Sequence, residues 1–223
     1  MSDTAIKLAV FDCDGTLLDS QANIVAAMDA CFHQNAMTPP PANTTRRIVG
    51  LSLPEAMAQL LPDADSGFHG KLAEDYKRCY QDMRARRTLA LEPLYDGTLD
   101  AMARLEAAGW LLAVATGKSD RGLNHALEHH GIHGRFISLQ TADRHPSKPH
   151  PSMLHQAMRD AGAEPEDTVM IGDTVFDMAL AANANVRALG VAWGYHAPEE
   201  LTEAGAEIVA DDYAALADYI LLP

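Results

Sequence analysis

Ile6-Lys7-Leu8-Ala9-Val10-Phe11-Asp12-Cys13-Asp14-Gly15-Thr16 is the stretch whose reading decides the fold of this 223-residue chain. A short, mostly apolar run suits a strand buried in a sheet. Two carboxylates then leave its carboxyl end. Side chains at i and i+2 of an extended segment share a face, so Asp12 and Asp14 are expected to face one pocket and Cys13 to turn away from it. Ligands of open α/β sheets bind beyond the carboxyl ends of the strands, which makes that pocket a candidate site.

Outward from this strand the pattern changes twice. From residue 20 to residue 92 helical patterns dominate, with helices expected over Ala22–Gln34, Pro54–Leu61 and Lys71–Arg87. The Thr38-Pro39-Pro40-Pro41 stretch interrupts them, because proline lacks the amide donor and restricts its predecessor. From Pro93 onward helices alternate with short apolar runs. Strands are expected at Trp110–Ala115, Phe136–Leu139, Thr168–Ile171, Val186–Val191 and Glu207–Val209, and helices at Asp96–Ala108, Ser119–His130, Ser152–Ala161 and Thr174–Ala184, with a last helix from Asp212. Strands alternating with helices imply an α/β fold with a doubly wound parallel sheet. The expected domains are a core of residues 1–19 and 93–223 and a helical insertion of residues 20–92.

Composition bounds the function. Seventeen Lys and Arg against 31 Asp and Glu give a net charge of −14, which opposes adhesion to nucleic acid or to an anionic membrane surface. No apolar stretch is long enough to span a bilayer. The three cysteines, Cys13, Cys31 and Cys79, are widely spaced and form no C-x-x-C pair, which fits reduced thiols in a cytoplasm.

Three further polar clusters follow apolar strands or sit in loops that can reach the same edge. Thr116-Gly117-Lys118 follows the second strand, where a hydroxyl and open amides can hold a phosphate oxygen; ordinary turn chemistry explains it equally well. Lys148 lies in the proline-stiffened loop Pro146-Ser147-Lys148-Pro149-His150-Pro151 and on its own reads as a solvated lysine. Gly172-Asp173-Thr174-Val175-Phe176-Asp177 follows the fourth strand, and helix capping accounts for Asp173 taken alone. Gathered in one cleft, Asp12, Asp14, Asp173 and Asp177 repel one another. Two like charges about 4 Å apart cost roughly 4 kcal/mol at an effective dielectric near 20. A cation is therefore expected, and an all-oxygen donor set suits Mg²⁺.

The order Asp12-x-Asp14-Gly15-Thr16, then Thr116-Gly117-Lys118, then Lys148, then Gly172-Asp173-x-x-x-Asp177 resembles the haloacid dehalogenase superfamily over essentially the whole chain. The resemblance implies that Asp12 is a nucleophile forming an aspartyl-phosphate and that Asp14 is the acid and base. It implies that Thr116 and Lys148 bind and neutralise the phosphoryl group. Gly15, Thr16, Gly117 and Lys118 would line the phosphate site. Mg²⁺ would be held by Asp12, the backbone carbonyl of Asp14 and Asp173, with Asp177 behind them.

A helical cap between the first and second motifs resembles the branch that includes phosphoglycolate phosphatase, β-phosphoglucomutase, phosphonatase and the dehalogenases. Asp14 favours phosphate esters, because the dehalogenases and phosphonatases lack this second acid. The tail Val191-Ala192-Trp193-Gly194-Tyr195-His196 is also similar to phosphoglycolate phosphatases, and by sequence order it lies far from the chemistry.

The expectation is a Mg²⁺-dependent phosphatase of a small phosphorylated metabolite, with 2-phosphoglycolate as a candidate, working as a monomer or homodimer. Arg46 or Arg47 would clamp a second anionic group of the substrate, unless both simply face solvent. A phosphosugar mutase, a pyrophosphatase or nucleotidase, and a catalytically silent phosphate-binding module remain as alternatives.

Overall fold

The computed structural model describes residues 5–222. Strand β1 (Lys7–Phe11) lies near the middle of a six-stranded sheet of order β3-β2-β1-β4-β5-β6, with all strands parallel. After β1 the chain forms α1 (Gln21–Gln34), α2 (Ala42–Arg47), α3 (Leu53–Leu60) and α4 (Ser66–Ala85) before returning to the sheet. The remainder alternates: α5 (Thr98–Ala107), β2 (Trp110–Thr116), α6 (Asp120–His129), β3 (Phe136–Thr141), α7 (Ser152–Ala161), β4 (Thr168–Gly172), α8 (Val175–Asn183), β5 (Arg187–Val191), α9 (Pro198–Glu203), β6 (Ile208–Ala210) and α10 (Tyr213–Ile220). This is the doubly wound α/β sheet that the alternating pattern predicts.

The central strands are apolar throughout because both of their faces are covered. Ala9, Phe11, Leu112, Val114, Val169 and Ile171 pack on one face against α5, α6 and α10. Leu8, Val10, Ala113, Ala115 and Met170 pack on the other against α7, α8 and α9. Cys13 joins the first of these clusters, turned away from the acids as strand alternation requires. A separate apolar cluster lies within α1–α4, built from Ala27, Met28, Phe32, Met57, Leu72 and Tyr76 among others, with Phe176 of α8 packed against it. Among the described residues no helix is long and apolar enough to cross a membrane.

Local chemistry moved several boundaries. Helix α4 begins at Ser66, five residues before the expected Lys71, because the Asp65 side chain caps it by accepting from the Phe68 amide at 2.9 Å. Arg46 and Arg47 close a short helix, α2, that forms directly after the prolines. Helix α9, which the sequence pattern did not suggest, starts on Pro198, a residue suited to a first helical turn.

The register of the sheet positions the site. Phe11 pairs with Val114 on one side and with Ile171 on the other, so Asp12, Thr116 and Asp173 all emerge at one sheet edge. β1 is where successive strands change direction across the sheet, and at such a point the loops part and open a crevice.

Candidate active site

Asp12 is fully buried, and neither carboxylate oxygen has a hydrogen-bond partner among the described residues. The Lys148 ammonium lies 3.0 Å from its Oδ1, an ionic contact that lacks hydrogen-bond alignment. Lys148 also donates to Asp177 Oδ1 at 2.6 Å. The lysine is thus a buried counter-ion and not a solvated loop residue. Burial pulls its ammonium toward the neutral form, but Asp12 and Asp177 outweigh that and hold it charged. Burial pushes the Asp12 carboxyl up to about 7 against the pull of Lys148, with Asp177 and Asp14 adding to the rise.

Asp14 accepts from the Ser20 hydroxyl and pairs with the Lys118 ammonium at 2.8 Å, both on Oδ1. Lys118 is raised well above the usual lysine value: burial opposes its charge, but Asp14 prevails. The Ser20 hydroxyl is also 3.2 Å from the Tyr195 hydroxyl.

Asp173 is gripped on both oxygens. Thr16 donates its hydroxyl to Oδ1 at 2.8 Å, and the Tyr195 amide donates to Oδ2 at 2.9 Å. Burial, then the charges of Asp12 and Asp177, push its carboxyl well above the usual range, and these two bonds pull it back. Asp177 caps α8: its Oδ2 accepts from the Thr174 amide at 3.0 Å and the Thr174 hydroxyl at 2.7 Å.

Oxygens of Asp12, Asp173 and Asp177 lie within 4.8 Å of one another. Fully ionised, the four carboxylates outnumber the two ammonium groups of Lys118 and Lys148 by two, the repulsion that raises the Asp12 and Asp173 carboxyls. Unpaired buried carboxylate oxygens on Asp12, an all-oxygen donor set and that excess together fit a hard divalent cation. Asp177 has both oxygens engaged, by Lys148 and by Thr174, which leaves Asp12 and Asp173 as the better ligands.

A cavity of about 130 Å³ opens above Asp12 and Asp14. Thr116, Gly117 and Lys118 line it from the core, and the α1–α4 segment roofs it. Gly117 is required there: a Cβ would sit 2.5 Å from the Leu51 carbonyl oxygen and 2.8 Å from that of Gly50. The roof is tied down beside it by the Ser52 amide donating to Ser147 Oγ at 2.8 Å. His196 adds a further tie. Its Nδ1 accepts from the Val175 amide at 3.3 Å, so Nε2 carries the proton and donates to the Arg47 carbonyl at 3.2 Å. Burial keeps this imidazole on the neutral side of its ordinary value.

Four sequence expectations need correction. Arg47 does not reach the cavity; its guanidinium makes a bidentate pair with Glu200, both contacts 2.7 Å, at the outer surface. Arg46 is exposed and does not line the cavity. Thr16 spends its hydroxyl on Asp173 and does not offer it to a phosphate. The Gly15 amide donates to the Leu18 carbonyl at 2.9 Å; the glycine is needed because its φ is +86° and a Cβ would lie 2.2 Å from Asp173 Oδ2.

The tail is the element sequence order misplaced. Tyr195 touches Asp173 and Ser20, and Trp193 Nε1 donates to the Thr16 carbonyl at 3.1 Å, so residues 193–196 buttress the acid cluster directly. Its resemblance signal was present; what was missing was the path of the chain after β5, which returns along the strand ends.

Comparison with known proteins agrees with this geometry. The family model described as haloacid dehalogenase-like hydrolase matches residues 9–191. A relative named "Probable phosphatase IndB" from Dickeya dadantii (strain 3937) is 33% identical over 213 residues, covering 93% of this chain and 90% of the relative. A relative named "Phosphoglycolate phosphatase" from Psychrobacter arcticus (strain DSM 17307 / VKM B-2377 / 273-4) is 30% identical over 224 residues, covering 96% of each. The crystal structure of a predicted phosphatase from Clostridium acetobutylicum is similar with a TM-score of 0.86 and 25% identity, covering 98% of this chain and 99% of that one. With its sheet, its motif order and these relatives, the chain belongs to the haloacid dehalogenase-like hydrolase family.

Proposed function

We propose that this phosphomonoester hydrolase works through a phosphoryl group carried on Asp12, with residues 20–92 acting as a cap over a core of residues 1–19 and 93–223. The observation that supports it most is Asp12 itself: a buried carboxylate at a strand end, with no hydrogen-bond partner on either oxygen and a buried lysine beside it. Groups left unpaired in this way are poised for another partner.

An Asp12 carboxylate oxygen attacks phosphorus, and the bond from phosphorus to the ester oxygen breaks. Asp14 gives its proton to that departing oxygen, completing an alcohol. Asp14, now ionised, takes a proton from water, whose oxygen attacks the phosphorus and releases phosphate from Asp12. Lys118 and Ser20 hold Asp14 in place for both transfers. Thr116 and the Gly117 turn receive the phosphoryl oxygens, and Lys148 offsets their charge. Magnesium held by Asp12, Asp173 and the Asp14 carbonyl would neutralise the remaining charge and polarise the phosphoryl oxygens.

The test is phosphate release from a panel of phosphomonoesters, with Mg²⁺ and with excess chelator. Metal-dependent release is expected, and Asp12→Asn should lower kcat by roughly a thousandfold or more. The variant should stay folded, because Asp177 remains as the counter-charge of Lys148 and repulsion among the buried acids falls. Substantial turnover by the variant would sink the covalent route, and an isomerised sugar phosphate without free phosphate would favour a mutase. Relatives named phosphoglycolate phosphatase make 2-phosphoglycolate the first ester to try.

A further inference from the structure

Helix α4 gives the cavity a wall that changes character along its length. Tyr76 and Tyr80 present rings to it, Lys77, Gln81 and Arg84 add polar groups, and Arg121 lines it from the first turn of α6. Tyr76 is buried, Tyr80 and Arg84 are half-buried, and Gln81 and Arg121 are exposed, so the two arginines stand at the mouth.

Arg84 is oriented by its neighbours. Its guanidinium lies 5.4 Å over the Tyr80 ring, a cation–π contact, and the Tyr80 hydroxyl is itself held by Glu92. His125 stands one turn after Arg121 on the same face of α6. Burial, and then the Arg84 charge, hold that imidazole below its ordinary value. Arg84 of the roof therefore looks toward the side of α6 that carries Arg121.

The acids nearby are committed elsewhere. Glu74 and Asp143 hold Lys77 at 2.9 Å and 3.8 Å. Asp120 accepts from the Thr141 hydroxyl and pairs with Arg144, and Glu92 accepts from Asn23 and Tyr80. Among the described residues no carboxylate lies within the 4.0 Å of an ion pair from Arg84 or Arg121. The floor offers no spare cation, because Lys118 serves Asp14 and Lys148 serves Asp12 and Asp177. In a chain of net charge −14, two arginines without counter-ions on one cavity are conspicuous. They repel each other across the seam between roof and core, and an anion between them draws the two sides together.

Resting on the phosphatase reading, we infer that Arg84 and Arg121 are specificity-determining residues that clamp a second anionic group, a carboxylate or a second phosphate, on the alcohol part of the substrate. The bound anion then bridges roof and core, so the ester that carries it also holds the cavity closed.

The experiment measures phosphate release at low ionic strength, with Mg²⁺, from matched pairs: 2-phosphoglycolate against ethyl phosphate, and 3-phosphooxypropanoate and propane-1,3-diol bisphosphate against n-propyl phosphate. At least one anionic ester should exceed its neutral partner in kcat/KM by about tenfold, the value of a charge-assisted hydrogen bond. Whether a carboxylate or the second phosphate gains more names the group. Arg84→Gln and Arg121→Gln should each cut that ratio several-fold through KM, whereas Arg84→Lys, which keeps the charge, should retain most of it. A purely structural role would slow anionic and neutral esters alike and leave the ratio intact. Melting temperatures near wild type verify the folds, since neither arginine gives up an ion pair. Equal turnover of anionic and neutral esters, or a ratio that survives in either glutamine variant, overturns the inference and leaves the phosphatase reading standing. Wild-type silence on every ester overturns both.

Discussion

On the floor of the cavity, Asp14, Asp173, Asp177 and Lys148 each contact two or more named partners, most of them buried, whereas the roof meets the core through a backbone approach at Gly117 and a handful of single contacts. The floor is over-determined: Asp173 is held by Thr16 and Tyr195, residues 157 and 22 positions away in the chain. The roof is a small apolar cluster of its own, with Phe176 as the core's contribution. Charged groups need fixed partners when water is excluded, because reorganisation there is costly. Apolar contacts are non-directional and tolerate sliding. The floor is thus suited to constant chemistry, and the roof can change its substrate preference without disturbing that chemistry.

Lys148→Met should break the contrast most severely on the stability side. It strands Asp12 and Asp177 without a counter-ion, a loss of about 3–5 kcal/mol, toward the lower figure because the raised carboxyl of Asp12 can accept a proton. For a chain of this size the melting temperature, followed in chelator, should fall by roughly 6–20 °C. An unchanged melting temperature would mean that the floor is not held together by this ion pair.

Gly117→Ala sharpens the junction between the regions. Its Cβ would press on backbone oxygens of residues 50 and 51, which cannot rotate away, so the roof must lift. We expect kcat/KM to fall roughly ten- to hundredfold from misplacement of about an ångström, with a smaller melting shift than Lys148→Met. Full activity in this variant would show that the roof's position is irrelevant to turnover.

The smallest effect belongs to Arg47→Ala. The pair with Glu200 is solvent-exposed, with side chains 52% and 32% accessible, so it is worth about 0.2–1 kcal/mol. KM should not change, because the guanidinium lies outside the cavity. A tenfold rise in KM would return Arg47 to the substrate.

Much of the fold was legible because doubly covered strands must be apolar, and Leu8–Phe11, Trp110–Ala115 and Thr168–Ile171 read that way without any partner being known. The acids were legible for a related reason: Asp12 and Asp14, and then Asp173, follow such runs directly, and a strand's end is a fixed place at a sheet edge. Lys148 was ambiguous in sequence because a loop lysine can point anywhere; only burial between Asp12 and Asp177 distinguishes it. Arg47 misled because an arginine in the expected helical cap looks like an anion clamp, and its partner Glu200 lies 153 residues away. Helix α9 escaped because six residues carry too little periodicity to register.

The sequence by itself determined the doubly wound sheet, the emergence of the carboxylates at strand ends and the helical character of residues 20–92, all of which follow from periodicity within a few neighbouring residues. Tertiary structure alone decided which side chains share a hydrogen bond: Thr16 turned to Asp173, Tyr195 brought back beneath the acids, Arg47 drawn outward, and Thr45 left unpaired in the roof. Such pairings join residues far apart in the chain, and hydrogen bonds and ion pairs depend on distances of a few ångströms that no local pattern encodes.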